Sequence, residues 1–266
     1  MTKYFCLLLG ALLLFSCKKD VETPEDTATK TPQKATALQF EPLEYSAKTK
    51  LPCKAKVCTY VNISVPKAIN GNAIVADSIN KGIFNTVRSI VYFGEKPTNA
   101  TNYDDLMSSF IKSYDELVKK FPEEAMAWEA KVKATVHHTS DSLINIKLNH
   151  YTFTGGAHGY EGDRSLLFNA KTGRSIKIAE LFNDQKAFTA IAEKKFRTKY
   201  KIPTGKSINS TGLTFENDRF QLPQNIFFTN DGILLYYNAY EVAPYAEQQK
   251  EVLIPYNDID AYLKIK

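Results

Sequence analysis

Residues 151–160 read Tyr151-Thr152-Phe153-Thr154-Gly155-Gly156-Ala157-His158-Gly159-Tyr160, and the reading of this stretch sets the layout of the chain. A strand-like run leads into it and a second, Arg164 to Asn169, leaves it. Three glycines within five residues permit positive φ or a close approach to another surface. The segment lacks the Lys-Ser/Thr ending and the strand-to-helix context of a phosphate-binding loop. It divides the chain into two expected units, residues 40–162 and 163–266.

Upstream, the pattern has period two. Trp128, Ala130, Val132, Ala134 and Val136 alternate with charged or polar residues. A turn at Thr139-Ser140-Asp141-Ser142 follows, and Ile144, Ile146 and Leu148 return. This predicts a β-hairpin with one wet face. Before it, Ile74, Val75, Ile79, Ile83, Val87, Ile90 and Val91 recur at helical spacing. A second helix is predicted from Thr101, with Asp104 three residues on as a weak capping box, a stripe of Leu106, Phe110, Leu117 and Phe121, and Pro122 as its stop. An earlier strand is predicted over Val57–Val65, ended by Pro66.

Downstream, Ser165 to Asn169 is predicted to open the second unit, turning at Lys171-Thr172-Gly173 and running on to Ile178. A helix with Phe188, Ile191, Ala192, Lys195, Phe196 and Tyr200 on one stripe follows. Asn230-Asp231-Gly232 between two apolar runs predicts a hairpin. Glu251–Ile254 is predicted to be a closing strand, and Asn257 to cap a short final helix. Strands and helices are grouped rather than strictly alternating, which makes the class α+β, with two small subdomains joined at the glycine-rich segment.

The N-terminus reads as an export signal. Lys3 supplies the positive charge, and Phe5 to Phe15 is an apolar run too short to span a bilayer. Leu14-Phe15-Ser16-Cys17 resembles a bacterial lipobox, so residues 1–17 are expected to be a lipoprotein signal with Cys17 as the lipidated residue. Several acyl chains would hold the chain stably on a membrane, the outer membrane being the expected one, facing periplasm or surface. Residues 18–39 are polar and Pro-containing and read as a tether of roughly 25 Å reach. With Cys6 in the signal and Cys17 lipidated, Cys53 and Cys58 remain as a pair, expected to form a disulfide in an oxidising compartment. Two cysteines alone are a poor zinc site, because closed sites take four ligands. The formal net charge is +5 with both signs interspersed, which gives no indication of nucleic acid.

The candidate site residues are Gly155, Gly156 and His158, together with Tyr240, Pro244 and Tyr245 from the irregular loop Asn238–Ala246. His158 invites a metal or general-base role, with Glu161 and Asp163 close behind. No nucleophile or ligand set is fixed to it by spacing, so the plainer reading is a tight junction with His158 on backbone. No metal or other cofactor is expected. The tyrosines suit either sugar and protein contacts or the capping of a core. The basic run Lys194–Lys201 reads as a solvated helix face rather than an anion site.

Phe153-Thr154-Gly155-Gly156-Ala157-His158, the segment Leu167 to Ile178 with Glu180-Leu181-Phe182, and Tyr240–Tyr245 followed by Ile254-Pro255-Tyr256 resemble the paired domains of unknown function in RsiV-like and PdaC-like bacterial proteins. The likeness runs from about Leu51 onward. It implies two α+β domains outside the membrane, PdaC-like over 40–162 and RsiV-like over 163–266. In anti-sigma-factor members this region binds lysozyme; in deacetylase members it accompanies a separate catalytic domain. The chain shows neither a sigma-binding segment nor a deacetylase domain, and Glu247-Gln248-Gln249 replaces the glycine that often follows the Ala-Pro-Tyr-Ala run. The expectation is a non-enzymatic envelope lipoprotein that binds cell-wall glycan (peptidoglycan) or a protein such as lysozyme. The alternatives are a hydrolase or deacetylase-type enzyme using His158 and a purely structural lipoprotein.

Overall fold

The computed structural model describes residues 37–53, 57–92 and 98–266. The expected signal, Cys17 and nearly all of the expected tether lie outside the described residues. The first five strands form one sheet in the order β1 (Gln39–Lys48), β2 (Tyr60–Ile69), β3 (Glu129–Thr139), β4 (Leu143–Phe153) and β5 (Tyr160–Asn169). Neighbours are antiparallel except β2 and β3. That parallel pair needs a crossover, which α1 (Ala73–Val91) and α2 (Tyr103–Lys120) supply.

Local chemistry explains these elements. Asn72 caps α1 through Ile74 N, and Asn102, rather than Thr101, caps α2 through Asp105 N at 2.9 Å. α1 buries Val75, Ala76, Ile79, Ile83, Val87 and Val91, while Ile74 points outward at 77 % exposure. In α2, Leu106 and Phe110 are buried, but Phe121 lies beyond the last turn and is half exposed. The helices cover one sheet face, where Ile63, Val132, Ile146 and Phe168 share a core with Trp128.

β1 was not read from the sequence, and the expected tether runs one residue into it at Gln39. It is a half-buried edge strand interrupted by Pro42. Pro66 likewise lies within β2 instead of ending it. Pro42 and Pro66 face each other in the register, and neither can donate, so the position is a non-hydrogen-bonded pair. Pro66's missing N–H would point toward the β3 side, where pairing stops at Ser64. Cys53 and Cys58 are joined by a disulfide just before β2.

The glycine-rich segment makes the β4–β5 connection. The expected unit boundary at 162/163 therefore falls within β5, which pairs with β4 from Thr152↔Tyr160 to Leu143↔Asn169. The strand expected to open the second unit closes the first sheet. Period-two alternation cannot distinguish these, because it fixes which face a residue takes and not which strand lies beside it.

β5 serves both units. Phe168 enters the first core, and Leu167, one residue earlier, enters the second with Leu143. After a 3-10 turn at Ile178–Leu181, α3 (Gln185–Lys199), capped by Asp184, packs Phe188, Ala192 and Phe196 on a three-stranded antiparallel sheet. That sheet is β6 (Asn225–Phe228), β7 (Gly232–Tyr237) and β8 (Lys250–Pro255). The Asn230-Asp231-Gly232 turn forms as read, with the Thr229 hydroxyl accepting from Gly232 N at 3.1 Å. The final helix α4 (Tyr256–Ile259) follows Pro255, and no side chain caps it, so Asn257 is not its cap.

Buried amides join the two sheets where backbone pairing does not. Asn145 accepts from Phe228 N at 2.9 Å and donates to Ser165 Oγ at 2.9 Å. Asn225 accepts from Ser165 N at 2.9 Å. The Asn238 side chain accepts from Asp163 N at 2.7 Å and donates to Asp163 O at 3.0 Å, imitating a neighbouring strand at the outer edge of β5. His137 and His138, at a β-bulge in β3, pack against Phe227 and Phe228. Among the described residues no helix is long and apolar enough to cross a membrane.

Candidate functional site

β4 delivers Tyr151 and Phe153 to the rim of the sheet. Gly155 and Gly156 then turn the chain at φ +112° and +93°, in open space. Their requirement is conformational. Gly159 differs: a Cβ there would lie 2.5 Å from the Tyr151 ring, so its requirement is close approach. His158 sits between them, exposed, with Nδ1 2.9 Å from Gly159 O.

The second wall comes from the loop after β7. Glu241 accepts from Asn238 N and Gln224 N, both at 2.9 Å, which ties the loop to its own base. Val242 and Ala243 are buried, anchoring the segment in the second core. Tyr240 takes φ +69° and Gln248 φ +55°, left-handed conformations disfavoured for such side chains. Pro244 starts the 3-10 turn Tyr245–Glu247. The outcome is a column of three rings. His158 stacks on Tyr245 at 5.1 Å and 11°, and Tyr245 stacks on Tyr240 at 5.1 Å and 24°. Tyr240 remains 53 % exposed and Tyr245 43 % exposed, so these tyrosines are not core caps.

Beside the rings is a polar cleft of about 370 Å³. Asn149, Glu161, Tyr236 and Asn238 line it on the sheet side, and Tyr245, Gln248 and Gln249 on the loop side. Asn149 Nδ2 bridges Glu161 at 3.2 Å and Asp163 at 3.1 Å. Asp163 is buried and pairs with Lys147 at 3.0 Å, whose ammonium also lies over the Phe227 and Tyr236 rings. Burial first, and then the Asp163 carboxylate, push the Tyr236 phenol well above its ordinary value, so it is a neutral hydroxyl at the cleft. Behind this face, buried His150 has its pKa lowered to about 4, by burial first and then by Arg164.

The predicted residues Gly155, Gly156, His158, Tyr240, Pro244 and Tyr245 thus come from two loops that meet. The sequence reading missed Asn149, Tyr236, Gln248 and Gln249 as cleft residues. The signal for Asn149 was present, since it shares the wet face of its strand with Tyr151; the others, from β7 and the loop before β8, needed the packing of the second sheet on the first. Asp163 turns to Lys147 and Asn149 rather than to His158. Among the described residues no group of three His, Cys, Asp or Glu is placed to hold a metal. The basic run of α3 is largely ion-paired, through Lys195–Asp258, Arg197–Glu193 and Lys199–Glu251.

The geometry defines a two-sheet α+β protein whose exposed rings and polar cleft lie where its two cores meet. Residues 53–161 match the family model described as deacetylase PdaC, and residues 179–257 match the model described as a protein of unknown function, DUF3298. The two matches fall, in order, on the two stretches whose residues resemble the paired domains. A DUF3298 family member from Bacteroides fragilis has a similar solved structure, with TM-score 0.67 and 21 % identity over 86 % of this chain and 94 % of that one. A DUF3298 family protein from Pseudomonas aeruginosa gives TM-score 0.58 and 21 % identity over 86 % and 96 %. These likenesses show the α+β fold. No curated protein matches the chain.

Proposed function

We propose that this protein is a lipid-anchored, non-enzymatic module of the bacterial envelope that binds cell-wall glycan at the His158–Tyr245–Tyr240 rings. The observation that carries this reading is the exposed ring column beside a cleft lined by Asn149, Glu161, Asn238, Gln248 and Gln249. Flat aromatic faces suit the C–H faces of sugars, and planar amides and a carboxylate suit their hydroxyls. The loops are held by buried anchors and by Glu241, which lowers the ordering cost of binding. The lipobox reading at Cys17 supports the anchor.

The test is sedimentation of the soluble protein, residues 37–266, with peptidoglycan sacculi. Both cores and all eight described strands lie within that piece. Tyr245→Ala is expected to weaken binding about tenfold, the effect of removing a central aromatic contact of about 1.4 kcal/mol. His158→Ala, whose ring has one stacking neighbour among the described residues, is expected to cost a few-fold at most. Wild-type binding by Tyr245→Ala, or no binding by the wild type, overturns the reading. Turnover of a peptidoglycan substrate that His158→Ala abolishes would favour the enzyme instead.

A second reading, a basic protein partner such as lysozyme, is favoured by one feature. The adjoining groove under His158 is lined by Glu123, Glu124 and Glu129. Such a complex would weaken steeply with salt, which stacking on sugar does not.

A further inference from the structure

A second concavity shares no lining residue with the ring-lined cleft. It lies between β1, β2, α1 and the start of α2, and has a volume of about 490 Å³. That is within the ~300–1,000 Å³ of small-molecule sites. Its walls are apolar for a local reason. Leu43 and Tyr45 alternate onto the helix side of the edge strand, opposite Val65 and Ile63. No further strand extends the sheet beyond β1 among the described residues, and Leu43 and Tyr45 stay only partly buried, as do Phe84 and Tyr103. Tyr45 and Tyr103 have ring centroids 4.7 Å apart, and Phe84 meets Tyr103 edge-on at 5.1 Å.

The rim is cationic. Lys67, Lys81 and Arg88 line the groove, and none of the described lining residues is acidic. Lys67 faces Glu41 at 3.6 Å, with both side chains about half exposed. Arg88 is held by the Ala100 carbonyl at 3.3 Å and by the Phe84 ring at 5.6 Å, neither of which carries a compensating charge. Among the described residues no carboxylate pairs with Arg88 or Lys81.

We infer that this groove binds an anionic amphiphile, with an acyl or aryl body against Leu43, Tyr45, Val65, Phe84 and Tyr103 and its acidic head at Lys81 and Arg88. A free fatty acid and an anionic membrane lipid share this chemistry. The apolar walls recognise the body without direction, and the charges select the sign of the head.

The test is isothermal titration of residues 37–266 with dodecanoate below its micellar concentration, with dodecylamine as the charge-reversed control. A parallel flotation assay with phosphatidylglycerol vesicles represents the membrane source. Dodecanoate or the vesicles are expected to bind, and dodecylamine about tenfold more weakly than dodecanoate or not at all. Lys81→Glu, at an exposed position that leaves the fold intact, is expected to weaken the anionic probe about fivefold, the scale of one exposed charge contact of ~1 kcal/mol. Leu43→Glu is expected to abolish binding with the thermal transition retained. Equal affinity for dodecanoate and dodecylamine, unaltered binding in both variants, or binding of neither anionic probe overturns the assignment.

Discussion

Asn238→Ala is the most informative single change. The Asn238 side chain is buried and pairs both backbone groups of Asp163, accepting at 2.7 Å and donating at 3.0 Å. These are outward groups of edge strand β5, and truncation leaves the N–H unpaired and the C=O with only the Arg164 guanidinium at 3.4 Å. A buried group left unpaired costs about 1–3 kcal/mol, so the unpaired N–H and the weakly held C=O together are expected to cost about 2–4 kcal/mol. Asn225→Ala is a matched control with a smaller effect. Asn225 accepts one bond, from Ser165 N, and its buried Nδ2 has no hydrogen-bond partner among the described residues. Truncation there loses one acceptor but also removes a desolvated donor, for a net cost of about 1 kcal/mol. The assay is urea unfolding of residues 37–266, followed by the fluorescence of Trp128, the chain's single tryptophan. A loss below about 0.5 kcal/mol for Asn238→Ala, or a larger loss for Asn225→Ala, would refute the view that these amides stand in for a missing strand.

Other outcomes follow from the same structure. Gly159→Ala is expected to destabilise by about 1–3 kcal/mol through overpacking on Tyr151, and Tyr151→Ala should relieve that cost in a double-mutant cycle. Gly156→Val is expected to cost about 1–3 kcal/mol through its positive φ, with no relief from Tyr151→Ala. His150 titrates near 6.5 when unfolded and at about 4 when folded, so the unfolded chain binds more protons between those values. Stability is then full above pH 6.5 and falls by about 2–4 kcal/mol as pH drops to 4; His150→Gln should flatten that part of a urea-midpoint series. Cys17→Ala is expected to release the protein from the membrane fraction or leave it unprocessed, and mass spectrometry showing an unmodified wild-type N-terminus would count against the anchor.

The sequence by itself determined the class and most elements. Helical spacing of Val75, Ile79, Ile83 and Val87, alternation over Ala130–Val136, and the Asn-Asp-Gly turn are local signals, since each element shows its own period whatever lies beside it. It also singled out both loops of the candidate site, from the glycines around His158 and the tyrosines around Pro244. It did not show β1, where a proline and half-exposed residues blur the alternation, nor that β5 completes the first sheet. Only the tertiary structure decided that His158 stacks on Tyr245, that Asn238 completes the edge of β5, and that Asn149 and Tyr236 share a cleft. These contacts join segments far apart in the chain, and they depend on strand order and register. Periodicity states which face of a strand is buried; which strand lies next to it is settled by how the two cores close on each other.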